Sequence, residues 1–161
     1  MKEKTVWTFS NKKSLTKSEF LRYIQRKVFK TIRENGLLPE EKIFRLKKSD
    51  SINTLVLKNI LDKKFKTKFS KNPNISTENL TQIAEIVMEK AIRGDFDFSK
   101  LPKSPLSKVS DEEILLYARL LGICAKKRPK NKKIHGLLDR FKKKNPDIER
   151  NIIRAASQFL R

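Results

Sequence analysis

The sequence predicts a mainly α-helical fold of five to six helices with at most a small sheet of two or three strands. Three observations lead there. Apolar residues recur at helical spacing in several separate stretches, most of them opened by a capping residue or closed by a glycine. Only "KIFRLK" (42–47) and "FKTKFSKN" (65–72) alternate in the manner of strands. The 161 residues include just four glycines and six prolines, few for the many turns of a large doubly wound sheet.

In chain order, residues 1–14 read as a loose lead-in, with Trp7 and Phe9 as candidate docking residues. Ser18 is the expected N-cap of a first helix that stops at Gly36. On it Leu21, Ile24, Val28 and Ile32 form an apolar stripe, and Arg22, Arg26, Lys30 and Arg33 form a basic one. Residues 1–38 are therefore expected to be an arm with a basic amphipathic helix that docks RNA or a partner. Residues 39–161 are expected to form a mostly helical domain with basic C-terminal helices. A strand over 42–47, a helix from Thr54 to Leu61 and a second short strand over 65–72 follow. Ser76 and Glu78 open the next helix, where Ile83, Val87 and Ala91 share a face and Gly94 is the stop. Pro102 and Pro105 hold a loop. Ser110 caps a further helix, Glu113 completes a capping box, and Asp111 and Glu112 suit the positive end of its dipole. "CAKKRPKNKK" (124–133) reads as a basic loop. Two helices follow on either side of Asn145-Pro146, the last burying Ile148, Ile152, Ile153, Ala156 and Leu160.

Composition excludes several classes. No run approaches the 18 apolar residues of a membrane span, and the first residues lack the apolar core of a signal peptide, so a cytoplasmic protein without membrane contact is expected. Cys124 is the single cysteine and His135 the single histidine. That rules out an internal disulfide and a multi-cysteine zinc site, and no metal is expected. Cys124 reads as a small buried apolar residue.

Charge carries the strongest functional signal. Lys and Arg number 39 against 18 Asp and Glu, for a net +21. The excess is segregated. Residues 1–36 carry ten basic and three acidic residues, residues 76–115 carry five and eight, and residues 116–161 carry 14 and three. Basic flanks around a mildly acidic middle point to an anionic partner, most naturally nucleic acid. The candidate phosphate-contacting residues are Lys126, Lys127, Arg128, Lys130, Lys132 and Lys133 in the basic loop, and Arg140, Lys142, Lys143 and Lys144 after it. Such clusters contact phosphates without reading sequence. Trp7, Phe9, Tyr23 and Phe141 are the aromatic residues available to stack on unpaired bases. No Ser/His/Asp set, paired carboxylates or metal-ligand cluster stands out, and Asp95 and Asp97 read as loop caps.

The order of segments resembles the archaeal and eukaryotic PP-loop family of tRNA thiolation enzymes. "FLRYIQRKVFKTIRENGLL" (20–38) resembles the basic helix before that family's nucleotide domain, and "KIFRLKKSDSINTLVLKNIL" (42–61) its first strand, loop and helix. "NLTQIAEIVMEKAIRGD" (79–95) is similar to a later helix, and "PLSKVSDEEILLYARLLGI" with "LLDRFKKKNPDIERNIIRAASQFL" to the C-terminal helical segment. The family's loop is Ser-Gly-Gly-Lys-Asp-Ser; this chain has Ser49, Asp50, Ser51, Ile52, Asn53 and Thr54. Both glycines, which let backbone amides turn onto a phosphate, are absent. Asp50 would repel one, Ile52 stands where the family has Lys, and Asn53 stands where it has Asp. The family's later acidic pair is replaced by Thr81 and Gln82, and its zinc-binding cysteine pairs are missing.

The resemblance therefore implies a reduced α/β PP-loop-derived domain with a degenerate nucleotide loop, no cofactor, no small-molecule substrate and no enzymatic activity. The expected role is that of a tRNA-binding scaffold for tRNA synthetases or tRNA-modifying enzymes. In role it resembles the methanogen assembly factors of tRNA-dependent cysteine biosynthesis, which link phosphoseryl-tRNA synthetase and Sep-tRNA:Cys-tRNA synthase on tRNA(Cys). The alternatives are a helical DNA-binding regulator or a divergent, active tRNA thiolation enzyme. A helix-turn-helix is disfavoured because "KKKNPD" is a poor close turn.

Overall fold

The computed structural model describes residues 3–160. Its elements are β1 (Thr5–Thr8), β2 (Ser14–Thr16), α1 (Lys17–Glu34), β3 (Ile43–Leu46), α2 (Ile52–Leu61), β4 (Lys66–Phe69), α3 (Leu80–Ile92), α4 (Asp111–Leu121), α5 (Lys132–Lys144) and α6 (Ile148–Gln158). The architecture is six helices with two two-stranded sheets, a reduced α/β domain in which helices dominate.

From Thr5 on, the segment expected to be a loose lead-in forms regular structure. β1 and β2 pair antiparallel as a hairpin. Lys12 takes the left-handed position of its turn at φ +65°, where glycine is the usual resident. The turn closes through Phe9 N–H to the Lys13 carbonyl at 2.8 Å and Lys12 N–H to the Phe9 carbonyl at 2.9 Å. Thr16, not Ser18, caps α1. Its backbone N–H donates to Glu19 Oε2 at 2.9 Å, one half of a capping box that Ser18 and its own third residue would not make.

α1 is not a free arm. Phe20, Ile24, Val28 and Ile32 are at most 3% exposed. They share one core with Phe44 and Leu46 of β3, Val56, Leu57 and Ile60 of α2, and Ile114 and Tyr117 of α4. Burying each such side chain stabilises by about 1.5–3 kcal/mol, which holds α1 against the rest of the domain. Ile24 and Val28, expected as docking residues, are inside this core and available to no partner. Leu21 is half-buried against it.

β3, α2 and β4 form a parallel unit, with Ile43 opposite Lys66 and Leu46 opposite Phe69. Ser51 caps α2. Asn79, not Ser76, caps α3, with Gln82 completing the box, and Ser76 instead donates to the Lys103 carbonyl. Ser110 caps α4 as expected, and Gly94 and Gly122 sit at the helix ends with φ +74° and +66°. A second layer joins α3, α5 and α6 through Ala84, Met88, Ile134 and Leu138, flanked by Ile148, Ile152 and Ile153. Leu160, expected in that face, is 55% exposed; Glu149 is buried instead. Lys132 and Lys133 belong to the first turn of α5, because Asn131 caps it. No described helix is long and apolar enough to cross a membrane.

Candidate nucleic-acid interface

The loop before α2 is closed by its own chain. Ile52 N–H donates to the Lys126 carbonyl at 2.9 Å, and Lys126 N–H donates to the Asp50 carbonyl at 2.9 Å. Ser51 N–H donates to Ser49 Oγ at 3.0 Å, and Thr54 N–H to Ser51 Oγ at 3.4 Å. Of the amides that a helix N-terminus offers to an anion, those of Ile52 and Thr54 are thus bonded within the chain. Ile52, Asn53 and Thr54 are buried. Asn53 donates to Gln82 Oε1 at 2.6 Å and to the Thr77 carbonyl at 3.0 Å, tying the start of α2 to that of α3. Outside, Lys126 pairs with Asp50 at 2.7 Å and holds the aspartate carboxyl below its usual range, chiefly by hydrogen bonding.

Beneath the basic loop lies an ionic network. Arg128 is 8% exposed. Its guanidinium donates to both Glu85 oxygens at 2.9 and 3.0 Å and to both Asp111 oxygens at 3.0 and 2.8 Å. Asn79 adds a bond to Asp111 at 2.6 Å, and His135 Nδ1 lies 2.5 Å from Glu85 Oε1. Burial pushes the Asp111 carboxyl up, but Arg128 and Asn79 together hold it below its ordinary value. Lys142 is half-buried against Glu112 and Glu149, at 3.4 and 3.5 Å. Burial works against its charge and the two carboxylates prevail, raising its pKa. Arg128 and Lys142, two of the ten expected phosphate ligands, are therefore structural cations. Lys130 reaches Asp111 at 3.4 Å. Lys127, Lys132, Lys133, Arg140, Lys143 and Lys144 stay exposed. Cys124 is exposed, not buried.

A second basic surface is built by α1 and the hairpin. Arg22, Arg26, Lys30 and Arg33 are exposed. A groove of ≈ 710 Å³ is lined by Lys13, Arg22, Tyr23, Arg26, Lys27 and Lys30, with Phe9 and Leu15 among its apolar walls. Tyr23 donates to Glu113 Oε1 at 3.1 Å, and Lys27 donates to the same carboxylate at 2.8 Å while lying 4.8 Å from the Tyr23 ring centroid. Burial, then Glu113, raise the Tyr23 phenol above its ordinary pKa, and burial lowers that of Lys27 against the pull of Glu113. Phe9 and Tyr23 also line a smaller cavity of ≈ 220 Å³ that reaches Glu112, Lys142 and Arg150. The N-terminal and C-terminal basic regions thus meet at these two rings. The stripe on α1 was legible at i, i+4 spacing. Lys13 and Lys27 were not, because only the hairpin and the buried Glu113 bring them to the groove.

No protein-family model matches the chain, and no curated sequence does. Among solved structures it is similar to the U34-tRNA thiolase NcsA from Methanococcus maripaludis, determined with its 4Fe-4S cluster. The TM-score is 0.77 at 16% identity, over 97% of this chain and 84% of that one. The fold is shared. This corrects the expectation that the chain is no enzyme. The solved structure that shares the fold is a thiolase, and an altered loop is not by itself lost activity. The cluster of that protein has no matching ligand set here, since iron–sulfur clusters are held by several cysteine thiolates and this chain has Cys124 alone. Among the described residues no three His, Cys, Asp or Glu side chains are grouped to hold a metal.

Proposed function

We propose that this chain is a tRNA-binding protein that brings tRNA together with tRNA-processing enzymes. The observation carrying the reading is the coincidence of a tRNA thiolase fold with two exposed basic surfaces, on α1 and around α5, that meet at Phe9 and Tyr23. Lysine and arginine in such number supply affinity through phosphate contacts and counterion release, while the shape of a folded RNA supplies selectivity. The exposed basic face of α1 is also the part of that helix open to an acidic protein, since its apolar face is buried. The specific pair suggested by the sequence resemblance is phosphoseryl-tRNA synthetase and Sep-tRNA:Cys-tRNA synthase, on tRNA(Cys).

The test is binding to deacylated tRNA and to duplex DNA of equal length across a salt series. Tighter binding to tRNA at each salt supports the reading; equal affinities and equal slopes of log K against log salt overturn it and favour the DNA-binding alternative. Affinity purification that recovers tRNA but neither a synthetase nor a tRNA-modifying enzyme would remove the assembly role and keep the RNA one.

A further inference from the structure

The groove between the hairpin and α1 has three properties that do not ordinarily coincide on a solvated basic face. It is concave, and its ≈ 710 Å³ falls within the size of small-ligand sites. Its cations stand in a row. Arg22, Arg26 and Lys30 are one helical turn apart, about 6 Å along the axis, and Lys13 reaches in from the hairpin. Lys27 and Lys30 have carboxylate partners; Lys13, Arg22 and Arg26 form no ion pair among the described residues. Glu19, the one carboxylate of the lining, is engaged in capping α1, accepting from Thr16 N–H, and lies near enough to Lys13 and Arg22 for their charges to lower its pKa, after the Thr16 hydrogen bonds.

The third property is aromatic. Phe9 and Tyr23 line the same groove with centroids 5.3 Å apart, edge to face. Both are held. Phe9 is fixed by two backbone hydrogen bonds of its turn and by Trp7 at 6.4 Å. Tyr23 is fixed by Glu113 below its hydroxyl and by Lys27 over its ring. A preorganised ring beside a line of free cations is the arrangement that single-stranded nucleic acid uses, bases on rings and phosphates on cations. An acidic peptide would use the cations and leave the rings idle.

We propose that this groove binds an unpaired RNA segment, one base resting against Phe9 and Tyr23 and the flanking phosphates taken by Lys13, Arg22 and Arg26. The inference rests on the tRNA reading and deepens it by naming the part of the RNA recognised: an unstacked single strand, not a helical stem.

The experiment uses the full chain and three probes: fluorescein-labelled octauridylate, a blunt RNA duplex carrying the same number of phosphates, and deacylated tRNA. Octauridylate is expected to bind more tightly than the duplex. Phe9→Leu should weaken octauridylate binding about fivefold or more and leave the salt slope unchanged. Arg22→Gln with Arg26→Gln should lower that slope by about 0.7 per residue. The two arginines are exposed, so this variant decides the question should Phe9→Leu fail to fold. Equal affinity for duplex and octauridylate, an unchanged slope in the double variant, or displacement of octauridylate by a polyglutamate peptide of matched charge would each overturn the groove assignment. Any of these with tRNA binding intact leaves the tRNA reading standing. Octauridylate bound in the groove by a chain that does not prefer tRNA over DNA sinks the tRNA reading alone.

Discussion

Replacing Arg128 by methionine tests whether the basic loop is fastened from below. The guanidinium makes four bonds of 2.8 to 3.0 Å to Glu85 and Asp111. Methionine fills much of the same space and supplies no charge, leaving two buried carboxylates facing each other's surroundings without their principal partner. Removing one side of a buried pair costs about 3–5 kcal/mol. For a chain of this length each kcal/mol moves Tm by about 2–4 °C, so the loss at pH 7 is about 6–20 °C by circular dichroism. The effect depends on pH with a definite sign. The folded-state pKa of Asp111 lies below its unfolded value. Its contribution is therefore present above the ordinary carboxyl range and fades as pH falls through the lower folded value. In Arg128→Met that contribution is gone, so the gap between wild type and variant should narrow below about pH 4. A fall of less than about 2 °C at pH 7, or a gap that does not narrow in acid, would refute the strut. A tRNA salt slope reduced by about one in the variant, measured well below its Tm, would instead place Arg128 on a phosphate.

Four further outcomes are expected. Ile24→Ala should cost about 2–5 kcal/mol by urea unfolding, and a loss under about 1 kcal/mol would mean that α1 is detachable after all. Ser110→Ala removes the side-chain acceptor for Glu113 N–H and should cost about 1 kcal/mol, seen as a Tm lower by about 2–4 °C. Burial raises the Glu149 carboxyl against the pull of Lys142, so its ionisation costs stability as pH rises past the ordinary carboxyl range; Glu149→Gln should raise Tm at pH 7 more than at pH 4, and a lower Tm at pH 7 would show that the pairing with Lys142 prevails. Lys143→Gln with Lys144→Gln, both exposed, should reduce the tRNA salt slope by up to about 0.9 per residue with no change in Tm; an unchanged slope would remove α5 from the interface.

Much of the fold was legible because its signals are local. Ser110 and Glu113 name a helix start by themselves, and Gly36 and Gly94 name two stops. The alternation of residues 42–47 announces β3, and the apolar run after Asn53 announces α2. The hairpin was not legible. Its strands are four and three residues long, and a lysine, not a glycine, holds its left-handed turn position. Thr16 and Asn79 were passed over as caps because Ser18 and Ser76 are equally good cap residues taken alone. Which one caps is settled by where Glu19 and Gln82 fall three residues on.

The site divides the same way. Net charge, its segregation and the spacing of Arg22, Arg26 and Lys30 are properties of the chain, and they are what raise the expectation of an anionic partner. Which cations remain free for it is a property of tertiary structure. In sequence Arg128 and Lys142 look like their neighbours Lys127 and Lys143. Only the approach of α3, α4 and α6 brings Glu85, Asp111 and Glu149 against them, and a carboxylate withdrawn from water holds a cation far more firmly than a solvated one does. The loop before α2 shows both sides. The sequence determined that it lacks glycine. The fold decided that the Ile52 amide would be closed by the carbonyl of Lys126, 74 residues downstream, because hydrogen bonds between distant segments are made by packing and leave no mark on either segment alone.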